Sequence, residues 1–141
     1  MSKRTEILDI DENEKIQHFN SCNAYSFYFL DGDGNLLECI ARYDLNNEND
    51  QPFDASGLLC VIEIGMPTDD IKMTGETLEK LIGSHFWKVD MTGFGTHGDQ
   101  DGLLLLPKLL YKKVWFPTDL TIEPSSFEVS IQNKGKLFHF S

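Results

Sequence analysis

Apolar and polar positions alternate most clearly over residues 25–42, YSFYFLDGDGNLLECIAR. Tyr25, Phe27 and Phe29 interleave with Ser26, Tyr28 and Leu30, and aromatic residues at this spacing suit a pleated, half-buried strand. The DGDGN stretch from Asp31 to Asn35 follows. Glycine there can take positive φ and Asp or Asn can bond its own backbone, so the chain is expected to reverse. Beyond the turn Leu36, Glu38 and Ile40 fall on one face of a second strand, and Leu37, Cys39 and Ala41 on the other. Glu38 is thus an acid set among apolar neighbours, and such a carboxylate needs a hydrogen-bond donor, a counter-charge or a metal.

The remaining pattern is coarser. The first 24 residues hold one weak apolar patch, Ile7, Leu8 and Ile10, then the charged DENEK stretch, with a short strand or irregular arm around residues 15–19. Residues 44–54, DLNNENDQPFD, read as a surface linker. Residues 58–66, LLCVIEIGM, are nearly continuous in apolar character and predict a buried strand stopped by Pro67. Thr68, Asp69 and Asp70 offer an N-cap, while the clearer helix begins after Thr74. There Leu78, Leu81 and Ile82 form a stripe, Glu76 and Lys80 stand at i and i+4, and Gly83 can end the helix. Strand character returns at residues 85–94, 102–110, 111–116 and 127–131, kept short or at edges by Pro107, Pro117 and Pro124. From Leu58 onward the order is strand, helix, then three or more strands.

Composition narrows the function classes. A chain of 141 residues suits one domain, and 40% hydrophobic against 25% charged residues is globular. The net charge of -11 opposes non-specific binding to nucleic acid or to anionic membranes, and solubility is its simplest role. Cys22, Cys39 and Cys60 are odd in number and form no C-x-x-C pair, so buried free thiols in a reducing compartment are expected. Residues 1–15 show no signal-peptide core and no apolar run reaches membrane-spanning length. A soluble, cytoplasmic protein is the expectation.

Candidate chemistry is sparse. Asp31, Asp33 and Asn35 have the alternate spacing of the first EF-hand ligands, but that loop needs Gly at its sixth position and Glu at its twelfth. Leu36 and Arg42 stand there instead, and a hairpin turn is the better account. His18 precedes the hairpin and reads as a solvent-facing or hydrogen-bonded imidazole. His97 lies in GFGTHGDQDG (residues 93–102), whose acidity and lack of a following helix favour a flexible hairpin loop over a phosphate cradle. His85 and His139 have no acidic relay partner in sequence. No G-x-S-x-G or nucleophilic cysteine context appears, so acyl transfer has no support. Trp115 and Phe116 could line a small-molecule pocket, but a core or interface role is the commoner use of such residues.

Tyr28 and Phe29, then Asp31, Gly34 and Asn35, then Leu36, Leu37 and Glu38 together resemble the hairpin closing a half-module of the vicinal oxygen chelate superfamily. That group includes glyoxalases, bleomycin-resistance proteins and ring-cleaving dioxygenases. Ile40 to Arg42, Glu63 to Gly65 and Trp115 to Thr118 are similar to further landmarks in the C-terminal part of longer glyoxalase-like proteins, over roughly His18 to Ile131. The resemblance implies an α+β fold: a βαβββ unit in a mostly antiparallel curled sheet, preceded by the β-hairpin of a truncated repeat. It implies one glyoxalase-like domain over 1–141, with arm and hairpin in 1–45, a linker in 46–57 and the complete repeat in 58–141. It also implies a divalent metal cofactor, for which Glu38 is the one ligand carried over. The position expected for a ligating His falls at Val61, with Glu63 as the substitute on the same face, and the four leucines after Gly102 leave no counterpart to the last ligand. A non-catalytic module that binds a small hydrophobic ligand or forms a homodimer is therefore expected. The alternative is a metal-dependent glyoxalase or dioxygenase, its site completed across a homodimer or by a partner chain through Glu38 with Glu63 or His18.

Overall fold

The hairpin forms where the alternation places it. In the computed structural model, which describes residues 5–87 and 92–141, β1 (Gln17–Phe19), β2 (Ala24–Leu30) and β3 (Leu36–Arg42) make an antiparallel sheet in that order. The register runs from Ala24 opposite Arg42 to Leu30 opposite Leu36, and His18 faces Tyr25 across β1 and β2. Ile7 bridges Phe29, so the weak N-terminal patch covers the rest of the β2 edge. The turn is built by Asp31: its Oδ1 accepts from the Asp33 and Asn35 amides, and its Oδ2 from the Asn35 side chain. The carboxylate is thereby committed to its own loop. These bonds, the one to the Asn35 side chain foremost, hold the Asp31 carboxyl below its ordinary range.

Contacts divide the chain into two compact units. The first takes the described residues to Gly57 together with Trp115–Leu120; the second takes Leu58–Val114 and Thr121–Ser141. In the first, Trp115–Leu120 folds as a turn closed by the Trp115 amide on the Leu120 carbonyl, with a cis Phe116–Pro117 bond. The polar stretch after Leu45 is exposed throughout, as its composition indicates.

The second unit opens with β4 (Glu63–Gly65), then α1 (Ile71–Ile82), β5 (Phe94–Asp99) and β6 (Gly102–Pro107). The sheet order is β4-β6-β5, with β4 parallel and β5 antiparallel to β6. Residues 85–87 lie along the far edge of β5: Phe86 bridges His97, the Trp87 amide donates to Thr96 and the Gly98 amide to His85. Strand, helix and further strands thus follow one another as expected. The part of the expected 85–94 strand at residues 88–91 lies outside the described residues.

Several local expectations are corrected. The strand within residues 58–66 is only Glu63–Gly65, and Leu59 and Val61 are 73% and 90% exposed. Its pairing partner β6 begins at Gly102, so the apolar residues ahead of Ile62 have no described strand to pair with. The helix starts at Ile71, because the Asp70 carboxylate caps the Met73 amide; the apolar stripe was too short a guide to its start. Leu81 of that stripe is exposed, and the helix-surface pair that forms is Lys72 with Glu76. Gly83 ends the helix in the left-handed region, φ 68°. Residues 93–102 are mainly the strand β5, with His97 buried on it. Residues 111–116 contribute only a Val114–Thr121 bridge. Cys60 is exposed, and Cys22 and Cys39 are half-buried; all three are free thiols.

The core of this unit sits between helix and sheet. Ile71, Leu78 and Ile82 of α1 meet Leu104 and Leu106 of β6, flanked by Ile64, Met66 and Phe86. Each such buried side chain contributes about 1.5–3 kcal/mol. The C-terminal hairpin, β7 (Val129–Asn133) and β8 (Lys136–Phe140), adds Ile131, Phe138 and Phe140 to this cluster. Asn133 ties it to the helix by donating to the Ile82 carbonyl at 2.7 Å. Among the described residues the fold is α+β, mostly strands with one α-helix, and its sheets are not closed.

Candidate functional site

Strand parity brings the polar residues of the hairpin to one face. Ala24, Ser26 and Tyr28 of β2 are buried, and the residues opposite them on β3 are Arg42, Ile40 and Glu38. Directly opposed residues of antiparallel strands project to the same side, so this face carries a hydroxyl, a phenol, a carboxylate and a guanidinium. Arg42 is 4% exposed. The Ser26 Oγ and the Glu38 Oε1 are closed off from solvent and make no hydrogen bond. A buried carboxylate oxygen in that condition costs stability until a donor or cation reaches it.

Glu38 and Arg42 are four residues apart on one strand, which at strand rise is about 13 Å along the chain axis. Their backbone positions therefore do not make them neighbours. Tyr28 faces Glu38 across the hairpin, and the Phe116 ring stands edge-on to Tyr28 with centroids 5.7 Å apart. The other face of the hairpin is different in kind. His18 stacks on Tyr25 at 4.3 Å, and Tyr25 meets Tyr43 edge-on. Since Tyr25 opposes Ala41, His18 lies on the face away from Glu38 within its own chain. Cys39 also lies on that face; burial, and secondarily the charge of Glu38, push its thiol up, which makes it a poor nucleophile at neutral pH.

The second unit places Glu63 opposite Leu103, out of phase with Ile64 and Leu104, which pack toward α1. Glu63 is therefore on the sheet face away from the helix. Among the described residues no group of three or more His, Cys, Asp or Glu side chains gathers to hold a metal ion. Zinc takes four ligands and the harder divalent ions take six or more. Glu38 alone does not fit a divalent metal.

The histidines serve the fold. His97 is 1% exposed on β5, its Nδ1 2.7 Å from the Ser84 hydroxyl and its ring edge-on to Phe86. His85 pairs with Glu79 at 3.3 Å on the surface. His139 meets Ser130 at 2.6 Å across β7 and β8, beside a shallow groove of about 450 Å³. Ser26 and Arg42 were missed as members of the hairpin's polar face. Their shared parity with Tyr28 and Glu38 was the available signal. No helix among the described residues is long and apolar enough to cross a membrane. Compared with protein-family models and with curated proteins, the sequence gives no match.

Proposed function

We propose that this chain is a non-catalytic, glyoxalase-like module that works as a homodimer. The carrying observation is Glu38: the residue that the resemblance assigns to a metal has a solvent-excluded oxygen without a hydrogen bond, yet no ligand set forms around it among the described residues. The order of strand, helix and further strands from Glu63 onward supports the glyoxalase-like reading. The strand bearing Glu38 supports the homodimer, because β3 ends its sheet with no described strand beyond it. Unpaired strand edges of this length recruit other chains unless blocked.

The test is elemental analysis of the purified chain after exposure to zinc, nickel, manganese and ferrous ions, with solution mass measured on the same sample. A dimer retaining no stoichiometric metal is expected. A stoichiometric metal lost on Glu38→Gln, together with lyase or dioxygenase turnover, would establish the metal-dependent enzyme instead.

A second reading takes Tyr28, which faces Glu38 across the hairpin, and Phe116, packed edge-on against it, as one wall of a ligand site. Such a wall suits a small hydrophobic ligand, a cationic one best of all. A thermal-shift screen across hydrophobic cations and quinone-like compounds tests it, and the absence of any hit removes it.

A further inference from the structure

We infer that two copies of this chain pack the outer faces of their β1-β2-β3 sheets against each other, the aromatic ridge of one copy lying in the shallow trough of the second. The inference rests on the homodimer proposed above and names the surface that forms it.

The register gives the hairpin two unlike faces. Ala24, Ser26 and Tyr28 are buried on the inner one. The outer one consists of three cross-strand pairs, Tyr25 with Ala41, Phe27 with Cys39 and Phe29 with Leu37. Tyr25 and Leu37 are 39% and 42% exposed. The aromatic surface continues past the strands, because His18 and Tyr43 pack on Tyr25 and Phe53 meets Phe27 edge-on at 6.1 Å. Phe53 is itself 62% exposed. In the second unit α1 covers one side of the β4-β6-β5 sheet. The helical turns of the first unit, among its described residues, are three residues long, too short to cover a sheet face.

Size, charge and shape select a second copy as what covers this face. With an aromatic side chain offering about 200 Å², the exposed parts of these nine residues come to roughly 600 Å² per copy. Two copies then bury about 1,200 Å², which reaches the range of specific interfaces. None of the six strand residues of the outer face carries a charge, in a chain whose net charge is -11. Two such chains repel, and they meet at least cost where both are uncharged. In shape, β2 supplies three aromatic rings while β3 beside it supplies only Leu37, Cys39 and Ala41, so a ridge adjoins a trough. Sheets packed with their strands aligned, about a two-fold axis running along the strands, set each ridge over the opposite trough. The face is thereby complementary to itself.

Light scattering on substituted chains and thiol footprinting test the face. Tyr25→Lys and Leu37→Lys lie at half-exposed positions that the folded monomer tolerates. Each should weaken dimerisation at least tenfold, because the dimer would bury an ammonium without a partner. Ala41→Trp should fill the trough and weaken it as well, whereas Val61→Lys, exposed on the second unit, should leave it unchanged. Footprinting reads the unaltered face and decides the matter if a lysine variant fails to fold. In a Cys22→Ser, Cys60→Ser background, maleimide should label Cys39 more slowly as chain concentration rises through the dissociation constant. A dimer that keeps its mass with both lysines, and labels Cys39 at one rate throughout, overturns the face and leaves the homodimer standing. A monomer at tens of micromolar overturns both proposals. If that monomer's melting temperature rises with a hydrophobic cation and no longer does so in Leu37→Lys, the face belongs to a small ligand instead.

Discussion

Gly75 of the helix presents its bare α-carbon to the ring of Phe86, and a methyl group added there would fall inside three ring carbons. Because Phe86 lies on the residues 85–87 segment beside β5, this contact sets how closely helix and sheet approach. Exposed Gly→Ala changes in helices gain about 1 kcal/mol. Here overpacking costs about 1–3 kcal/mol and wins. Gly75→Ala should lower the denaturant midpoint, and Gly75→Ala with Phe86→Leu should recover most of the loss.

Stability should fall as pH is lowered from 7 to 5. Burial is the main force holding the His97 imidazole below its ordinary 6.5; the Gly75 backbone and Glu79 oppose this, and His85 adds to it. The unfolded chain therefore takes up a proton near 6.5 that the folded chain refuses. The stabilisation is complete above that pH and is lost as pH drops toward the lower, folded value. Urea titrations at pH 7.5, 6.0 and 5.0 measure the slope. His97→Gln should flatten it; an unchanged slope in that variant would assign the effect to other groups.

Asp31 holds the turn, so Asp31→Ala should loosen the hairpin at its closed end. Hydrogen exchange should quicken at the Asp33 and Asn35 amides, which lose their acceptor, ahead of the amides at the other end of β2 and β3. Calcium added to the unaltered chain should change neither exchange nor melting temperature, since the Asp31 oxygens are already engaged. A calcium-induced shift would revive the loop as an ion site.

The Tyr28–Phe116 pair is open to a double-mutant cycle. Edge-on aromatic pairs couple by about 0.5–1.5 kcal/mol beyond their buried area. Tyr28→Leu, Phe116→Leu and the combination should return a coupling in that range by chemical denaturation. Additive losses would mean that the Trp115–Leu120 turn is held in place by other groups.

What was legible in the sequence follows from where information is local. The residues 25–42 hairpin was readable because alternation, turn chemistry and the break at Asp31 all agree within one short stretch. The same parity rule already assigned Glu38 to a face with Leu36 and Ile40, and both are half-buried as that requires. The reading failed where the outcome depends on a distant partner. Residues 58–61 have the composition of a buried strand, but a strand needs a neighbour, and β6 offers pairing only from Ile62 onward. His97 was hidden by surrounding glycines that suggest a loop. Those glycines are what a strand under a helix uses: a Cβ on Gly95 would meet Ile71 at 2.6 Å. The C-terminal hairpin was missed on its second side, although Lys134 and Gly135, both at positive φ, sit in a turn between alternating segments. The companions of Glu38 could be read only once β2 and β3 were in register.

The short return of the chain at Trp115–Leu120 limits how this protein can be dismantled. A gene cut at the polar connector would encode two fragments, and the first would lack the ring that seats against Tyr28. Neither piece is a cassette that recombination could lift out whole, because the later fragment carries a splint belonging to the earlier one. Split-protein reassembly would succeed only where that borrowed loop can thread home, whereas insertions in residues 46–52 leave the stitching untouched.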